Sequence, residues 1–316
     1  MREIVVCGEA LVDVVQQGGG RHDATAGGLA PLQPALGGGP FNVAITLGRL
    51  GSAVSLLSAV STDTYGDAVL DALRAAGVGT AMVQRRDEPT SLALATIADD
   101  GSAHYSFYVE GTADRAIGDP GALPPTVAAV TFGTLSLVLE PGATVYENLM
   151  RRCRAEGRVV VLDPNIRPAV IADPEAYRRR FRSWMSSVDV VKLSDEDAAW
   201  LGTGSAGSST TDWLADGVAA VVTTEGASGL TVRTAAGEVT APAPSVDVVD
   251  TIGAGDSVLG GLVNHLDRHG RLSPGAVRSL TLQQWREAAE FAAHVAAVTV
   301  SRPGADPPWA GELRSD

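Results

Sequence analysis

Lysine is almost absent from this sequence. Lys192 is the only one among 316 residues, and it stands between Val191 and Leu193 rather than in the Gly-Lys-Ser/Thr string of a Walker A loop. A phosphate-binding P-loop is therefore excluded. A protein-kinase fold is also disfavoured, because no glycine-rich loop of the kinase type precedes this lysine.

Cysteines, histidines and long hydrophobic runs are scarce as well. Cys7 and Cys153 alone do not make a disulfide framework, and Cys7 lies in an apolar run that predicts burial. The five histidines are not accompanied by a cysteine pair at zinc-ligand spacing, which argues against a structural zinc site. The apolar run 4–7 is too short for a signal peptide, and 291–300 is too short for a membrane helix. We therefore expect a cytoplasmic protein without a membrane partner.

Basic residues are outnumbered by acidic ones, and the formal net charge is −13 at pH 7. This acidity argues against nucleic acid or an anionic membrane as the main partner. It leaves a phosphate ligand open, because backbone amides and a metal ion can neutralise a phosphate locally.

Short apolar runs alternate along the chain with segments of helical periodicity. Several runs are apolar throughout, as in a parallel sheet that is covered on both faces. We predict a single doubly wound α/β domain over residues 1–316, with a mainly parallel sheet and helices on both faces. The predicted strands are 4–7, 54–59, 129–132, 159–162, 188–192 and 218–223, followed by a ribbon at 230–233 and 238–241. The predicted helices are 40–50, 67–76, 144–155, 174–183, 195–201, 254–269 and 282–301.

Two stretches interrupt this alternation. Residues 16–36 are rich in glycine and alanine and suit a loop or an edge strand, whereas 91–98 and 103–108 flank the turn signal Asp-Asp-Gly-Ser at 99–102. We predict that segments of about 14–36 and 89–113 form a small β-sheet lid over the carboxyl edge of the main sheet. A lid would keep water away from a transferring group. The alternative is a hairpin without function.

The most informative segment is Asp250-Thr251-Ile252-Gly253-Ala254-Gly255-Asp256-Ser257. Its glycines let the backbone turn tightly, and the helix predicted to begin there directs free N–H groups at that turn. Such a helix start binds anions and suits a phosphoryl group. Asp256, in the first turn, is placed to take a proton from an attacking hydroxyl. The alternative is that Asp256 only caps the helix.

This segment resembles the C-terminal motif of the ribokinase, or PfkB, family of carbohydrate kinases. A second family motif, two glycines followed four residues later by asparagine, is present as Gly37-Gly38-Gly39-Pro40-Phe41-Asn42. The resemblance spans nearly the full length and implies a ribokinase-like fold that transfers a phosphoryl group from ATP to a sugar hydroxyl. Further segments in the family's order are 8–13, 163–167, 223–229 and 299–305.

The resemblance also implies a role for each matching residue. Asp256 would be the base, and the amides of Gly253, Ala254 and Gly255 would line the anion hole. On the sugar side it places Asp13, Gly37, Gly38, Asn42 and Arg167, although a surface salt bridge is an alternative for the arginine. On the nucleotide side it places Asn165, Lys192, Ser194, Thr223, Gly226, Gly229 and His294.

Two departures from the family pattern concern cations. Many members carry Asn-x-x-Glu after the strand that ends near Lys192, and this motif organises Mg²⁺ through water. Ser194 and Asp197 stand at those positions here, and Asp197 would hold the water shell. A K⁺ site at Asp250 stays open, because Pro308 replaces a hydroxyl ligand of potassium-dependent relatives. The family also implies a homodimer whose lids are exchanged or stacked.

The choice of sugar rests on a finer resemblance. Residues 37–44 and 163–167 are more similar to bacterial fructokinases than to ribokinases or adenosine kinases. Kinases of 2-keto-3-deoxygluconate read their acid with an arginine in the lid, whereas this lid has Glu110 shortly after Tyr108. We expect Glu110 to repel a sugar acid, which favours a neutral sugar, with fructose first. The alternatives are 2-keto-3-deoxygluconate kinase, ribokinase, and a sugar-binding or regulatory protein with weak catalysis.

One string points to another class of enzyme. Residues 202–207 read Gly-Thr-Gly-Ser-Ala-Gly and match the dinucleotide fingerprint. They follow a predicted helix rather than a strand, so we do not expect a nicotinamide site there.

Overall fold

The computed structural model describes residues 2–16, 31–97 and 103–313, and the predicted turn at 99–102 lies outside them. The described residues confirm the α/β prediction, with an eight-stranded main sheet and a separate four-stranded sheet. The strands are β1 (Glu3–Cys7), β2 (Leu11–Gln16), β3 (Leu32–Gly37), β4 (Val54–Leu57), β5 (Ala59–Ser61), β6 (Gln84–Arg86), β7 (Leu92–Ile97), β8 (Ala103–Tyr108), β9 (Val127–Gly133), β10 (Val159–Asp163), β11 (Val190–Ser194), β12 (Ala220–Thr224), β13 (Leu230–Thr234) and β14 (Gly237–Ala241). The helices are α1 (Gly39–Arg49), α2 (Thr64–Ala75), α3 (Gly142–Ala155), α4 (Pro174–Trp184), α5 (Asp195–Leu201), α6 (Thr210–Ala215), α7 (Ala254–Arg268), α8 (Pro274–Arg278) and α9 (Leu282–Val300).

The central strands are buried on both faces. Along β1, Ile4 and Val6 join one core, whereas Val5 and Cys7 join the other. Helices α1, α2, α7 and α9 cover the first face, and α3 and α4 cover the second. Burial on both sides explains why these strands are apolar throughout. Among the described residues, no helix combines the length and the apolar character of a membrane span.

Some element predictions were wrong in detail. Segment 54–59 is not one strand, because β4 ends at Leu57 and Ala59 begins β5, which pairs with β6 outside the main sheet. Helices α6 and α8 were missed because they are shorter than the window in which helical periodicity can be recognised. Each does begin after a serine N-cap, Ser209 or Ser273, and this signal was present in the sequence.

The strand order places a crevice at the carboxyl ends of the strands of the main sheet. The order is β14-β13-β12-β11-β10-β9-β1-β4, and β1 pairs in parallel with β4 on one side and β9 on the other. The chain therefore leaves β1 and β9 in opposite directions. In open parallel sheets, ligands bind outside the carboxyl ends of strands at such a switch point. Functional residues are thus expected in the loops after Cys7 and Gly133.

Helices α1 and α7 approach each other very closely beside this crevice. A Cβ atom on Gly260 of α7 would lie 2.5 Å from Cγ2 of Thr46 on α1, so the crossing requires glycine. One helical turn earlier, Asn42 and Asp256 stand at the corresponding positions of the two helices. The crossing therefore fixes the distance between these two side chains.

The four-stranded sheet has the order β3-β2-β7-β8 and forms the predicted lid. It starts at Leu11, slightly earlier than the predicted boundary. Side chains alternate between its two faces, so Leu11 and Asp13 lie on one face and Val12 and Val14 on the other. The face that carries Asp13 is turned toward the carboxyl edge of the main sheet.

Candidate active site

A polar cavity of about 330 Å³ lies between the lid and the loops that follow β1, β9 and β10. Its walls include four of the five predicted sugar residues together with the predicted base. Those lining residues are Asp13, Gly38, Asn42, Arg167 and Asp256. Segments from widely separated parts of the sequence therefore meet at one cavity.

Asp256 is buried in the first turn of α7, with 8% of its surface exposed. Asn42 donates a hydrogen bond from Nδ2 to its Oδ2 at 2.9 Å. Burial raises the pKa of Asp256 to about 6, while the Asn42 hydrogen bond and the Lys192 ammonium act in the opposite direction. Asp256 is thus mainly deprotonated at neutral pH, yet is a stronger base than an exposed aspartate.

The only lysine lies beneath the start of α7. Lys192 donates from Nζ to Oδ2 of Asp163 at 2.8 Å, and both side chains are buried. Burial raises the pKa of Asp163, and the adjacent ammonium opposes this rise. A Cβ atom on Gly255 would lie 2.7 Å from Nζ, so the ammonium touches the first turn of α7. A positive charge is therefore held where a helix start already favours an anion.

Two glycines leave space for the carboxylate of Asp13 and for the carbonyl group of Glu9. A Cβ atom on Gly37 would lie 1.9 Å from Oδ2 of Asp13. Gly38 has a φ of 102°, and its Cβ would lie 2.9 Å from the carbonyl oxygen of Glu9. Burial raises the pKa of Asp13 to about 6, and Arg167 opposes this rise. The carboxylate of Asp13 can accept hydrogen bonds from sugar hydroxyls.

Two cavity residues, Glu9 and Thr134, were not predicted. Glu9 is 2% exposed and accepts the N–H of Ser136 at 3.0 Å. Burial raises the pKa of Glu9 to about 8. Thr134 has a φ of 59°, which is strained for a β-branched residue, and its buried hydroxyl has no hydrogen-bond partner among the described residues.

The sequence contained a signal for one of these two residues. Glu9 is a charged residue directly after Gly8 at the end of an apolar strand, where ligand residues occur in parallel sheets. Thr134 carried no such signal, because its conformation follows from contacts made across the sheet.

Arg167 and Asn165 follow β10 and both line the cavity. Arg167 is half-buried and donates to the carbonyl oxygens of Asn165 and Ile166, and it forms no salt bridge within the described residues. The described residues therefore do not support the alternative of a surface salt bridge for the arginine. Asn165, with a φ of 39°, lies beside Gly39 and lines the same cavity as Asp13 and Asp256, whereas the resemblance placed it on the nucleotide side.

Strand β8 of the lid contributes aromatic side chains to the cavity, whereas Glu110 does not reach it. Tyr105 and Phe107 stack with ring centroids 6.1 Å apart and line the cavity. Glu110 does not line it, because its side chain is 91% exposed and pairs with Arg115 at 2.6 Å. The argument that Glu110 repels a sugar acid is therefore wrong.

A larger and mainly apolar groove of about 660 Å³ adjoins the cavity that holds Asp256. Gly226 and Gly229, which the resemblance places on the nucleotide side, line it. Thr224 lines it instead of the predicted Thr223, whose hydroxyl is buried without a partner in the described chain. His294 is half-buried on α9 and does not line the groove, so its contact with adenine stays a prediction. The α9 residues that line it are Ala293, Ala296, Ala297 and Val300.

The cavity and the groove meet at the start of α7. Thr251 and Gly255 line both of them. Gly253 has a φ of 74°, and the first intrahelical bond runs from the N–H of Ser257 to the carbonyl oxygen of Gly253. The N–H of Ala254 already donates to Thr251 at 3.3 Å, which leaves the amides of the next two residues best placed for an anion.

The predicted cation residues have structural bonds of their own. Asp197 accepts the N–H groups of Ile166 and Ser194 at 2.9 and 3.1 Å, and Ser194 caps α5 in return. Asp250 accepts the N–H groups of Ile252 and Gly304 at 3.0 and 2.8 Å. In the described part of the chain, no group of three metal-ligating side chains is present. The cation roles of these residues stay predictions.

The dinucleotide-like string at 202–207 has a different use. It follows helix α5, as expected, and the carboxylate of Glu175 accepts hydrogen bonds from Ser205 and from the N–H of Ala206 at 2.8 and 2.9 Å. These hydrogen bonds attach the string to helix α4.

A polar cavity and an apolar groove that meet at one helix start suit group transfer between two bound molecules. The chain belongs to the pfkB family of carbohydrate kinases, whose sequence model matches residues 1–310. It is therefore a carbohydrate kinase. A fructokinase of Rhizobium leguminosarum bv. trifolii is 38% identical over 288 residues, which cover 90% of this chain and 85% of that protein.

More distant relatives agree. Fructokinase-2 of Zea mays is 28% identical over 311 residues, covering 96% of this chain and 90% of that protein. The crystal structure of a Xylella fastidiosa fructokinase with bound ATP superposes with a TM-score of 0.85 at 27% identity, and covers 96% of this chain and 93% of that one.

The raised pKa of Glu9 predicts a specific dependence of stability on pH. Between about pH 5 and 8 the native state retains a proton that the unfolded chain has released. The free energy of unfolding should therefore fall as pH rises, by at most roughly 1.4 kcal/mol per pH unit. Glu9→Gln should flatten this decline in urea titrations at several pH values. Glu110→Gln, which removes an exposed carboxyl, should leave the slope unchanged, and equal slopes in wild type and Glu9→Gln would contradict the burial argument.

Proposed function

We propose that this carbohydrate kinase transfers the γ-phosphoryl group of ATP to a hydroxyl of a small neutral sugar, with fructose as the first candidate. The observation that carries the proposal is the junction at Gly255. There the sugar-side cavity, with Asp256 in its wall, opens onto the apolar groove across the start of α7.

The groove supports ATP as the donor. Its apolar α9 wall suits an adenine ring, and Gly226 and Gly229 let the backbone approach a ligand closely. The Xylella fastidiosa fructokinase, which shares this fold, was solved with bound ATP. ATP in the groove would direct its phosphates to the start of α7 and to Lys192.

The residues around the junction suggest how the transfer proceeds. Asp256 takes the proton of the sugar hydroxyl while that oxygen attacks the γ-phosphorus, and ADP leaves. The amides at the start of α7 and the Lys192 ammonium stabilise the charge that develops on the phosphoryl oxygens. The lid aromatics exclude water, which would otherwise compete as acceptor.

Magnesium would accompany the nucleotide. The fit is through water, because Asp197 already accepts two amide hydrogens and only its remaining lone pairs can hold the shell of a hydrated ion. Mg²⁺ would neutralise phosphate charge. A monovalent cation at Asp250 is a weaker proposal, since both carboxylate oxygens there hold backbone amides.

The charges of the cavity, instead of Glu110, support a neutral sugar. Asp13 and Asp256 present two carboxylates, whereas Glu9 keeps its proton at neutral pH. Lys192 is already paired with Asp163. Arg167 is the one cation in the described lining that has no acidic partner there, and it favours a sugar acid as the second candidate. The balance of charge favours the neutral sugar.

Replacing the base should abolish most of the turnover. Asp256→Asn should lower kcat roughly 10²–10⁴-fold and change the KM for the sugar far less, because the amide cannot accept the proton. In the wild type, kcat should fall as pH drops through about 6, where Asp256 becomes protonated. A coupled assay of ADP release measures both effects.

The control for this variant uses the single lysine. An acyl phosphate of ATP should acylate Lys192 in the wild type and in Asp256→Asn alike, and intact mass spectrometry should show that excess ATP prevents the label. Equal labelling shows that the nucleotide site survives the substitution. A loss of turnover below tenfold would remove Asp256 from the role of base.

A substrate panel tests the sugar. Fructose, ribose, 2-keto-3-deoxygluconate and adenosine should be offered separately with ATP and Mg²⁺, and fructose should give the highest kcat/KM. Arg167→Gln is the matched variant, because it should lower activity toward the sugar acid far more than toward fructose. Turnover of the acid alone would make the second candidate correct.

The outer face of the lid supports a homodimer. Val14 and Leu94 are half-buried there, and Leu32 and Tyr108 are 52% and 60% exposed. Such an apolar patch on a sheet face is typical of a protein interface. We infer that two lids stack through it.

Sedimentation should give twice the 32.4 kDa mass of the chain. Leu32→Arg should give monomers, because it places a charge in the buried contact, whereas Tyr65→Arg, at an exposed aromatic residue of α2, should leave the dimer intact. A monomeric wild type at micromolar concentration would contradict the inference.

A further inference from the structure

The hydrogen bond between Asn42 and Asp256 indicates a second role for the asparagine besides contact with the sugar. It joins α1 to α7 at 2.9 Å, and both side chains are buried. A carboxylate only accepts hydrogen bonds, so the amide nitrogen of Asn42 must face Asp256. The amide oxygen of Asn42 is then left for a sugar hydroxyl.

The same bond selects which oxygen of the base is free. Asn42 holds Oδ2 of Asp256, whereas Oδ1 lies at the cavity wall, 3.3 Å from the position of a Cβ atom on Gly39. A general base works only when its free oxygen lies within hydrogen-bonding distance of the proton that it takes. Asn42 therefore sets the rotation of the carboxylate.

The backbone around the pair is closely packed. Thr46 donates from its hydroxyl to the carbonyl oxygen of Asn42 at 2.8 Å. One turn below the pair, Gly260 admits the side chain of Thr46 so closely that a methyl group would collide with it. The helix crossing thus brings Asn42 within reach of Asp256, and widening the crossing would weaken their bond.

We propose that Asn42 is a positioning residue for the base, with its amide nitrogen orienting Asp256 and its amide oxygen binding the sugar, so that substrate binding and base orientation share one side chain. The close crossing at Gly260 maintains this arrangement. The proposal rests on the role of Asp256 given above. It adds that Asn42 acts on turnover and not only on affinity.

Charges around Asp256 come from several elements. Lys192 on β11 and Arg167 after β10 favour its carboxylate form, whereas Asp163 on β10 disfavours it. None of these groups would be removed by a change at position 42. Loss of the Asn42 hydrogen bond should therefore raise the pKa of Asp256 while the other contributions stay.

The test is the pH dependence of kcat with saturating ATP and fructose, or whichever panel sugar turns over. The acidic limb is the pH range in which kcat falls as Asp256 takes up a proton. Asn42→Leu, of similar size but without a donor, should lower kcat at least tenfold and shift this limb to higher pH by about one unit. Gly260→Ala should move the limb in the same direction without touching the cavity. If Asn42→Leu does not fold, Gly260→Ala tests the proposal in its place.

Two variants serve as matched controls. Gly261→Ala crowds Ala292 and Val295 of α9 instead of α1, so it should lower the melting temperature without moving the limb. Asp13→Asn removes another sugar contact, and it should raise KM while the limb of Asp256 stays. A limb near pH 6 that persists in Asp13→Asn belongs to Asp256 rather than to Asp13.

The outcomes separate this proposal from the one it rests on. If Asn42→Leu raises only the KM for the sugar and the limb of kcat stays in place in both Asn42→Leu and Gly260→Ala, Asn42 is a sugar ligand alone. If the wild type shows no acidic limb and Asp256→Asn retains its turnover, the role of Asp256 itself is wrong.

Discussion

The contact on which the site depends is the close crossing of α1 and α7. It brings two polar side chains together inside the protein, where a hydrogen bond to a carboxylate is strong and an unpaired carboxylate is costly. Asn42 and Asp256 satisfy each other there, at 2.9 Å. Because α7 also supplies the helix start, the same packing fixes both the base and the anion-binding amides.

Buried charge is the second constraint. Several carboxyl groups lie at the carboxyl edge of the sheet, and burial raises the pKa of each of those at Glu9, Asp13, Asp163 and Asp256. Lys192 and Arg167 oppose this effect at Asp163 and Asp256, and Arg167 also opposes it at Asp13. The balance keeps Asp256 ionised at neutral pH but more basic than an exposed aspartate, which suits proton transfer from an alcohol.

The lid and the main sheet contribute different parts of the site. The sheet supplies rigid strand ends at a switch point, from which loops carry the polar groups. The lid supplies Asp13 and the aromatics that cover the cavity. Its outward face is apolar, so the lid covers the cavity with one face and exposes hydrophobic side chains on the other.

The sequence by itself determined the α/β class, because apolar strands and amphipathic helices follow from local periodicity, and it indicated Asp256 and the glycines of both motifs, because tight turns need glycine. Only the tertiary structure decided which atoms meet. The partner of Asn42 and the N–H that Glu9 accepts come from residues distant in sequence. Local pattern specifies the backbone's elements, whereas hydrogen bonds and burial arise from how those elements pack.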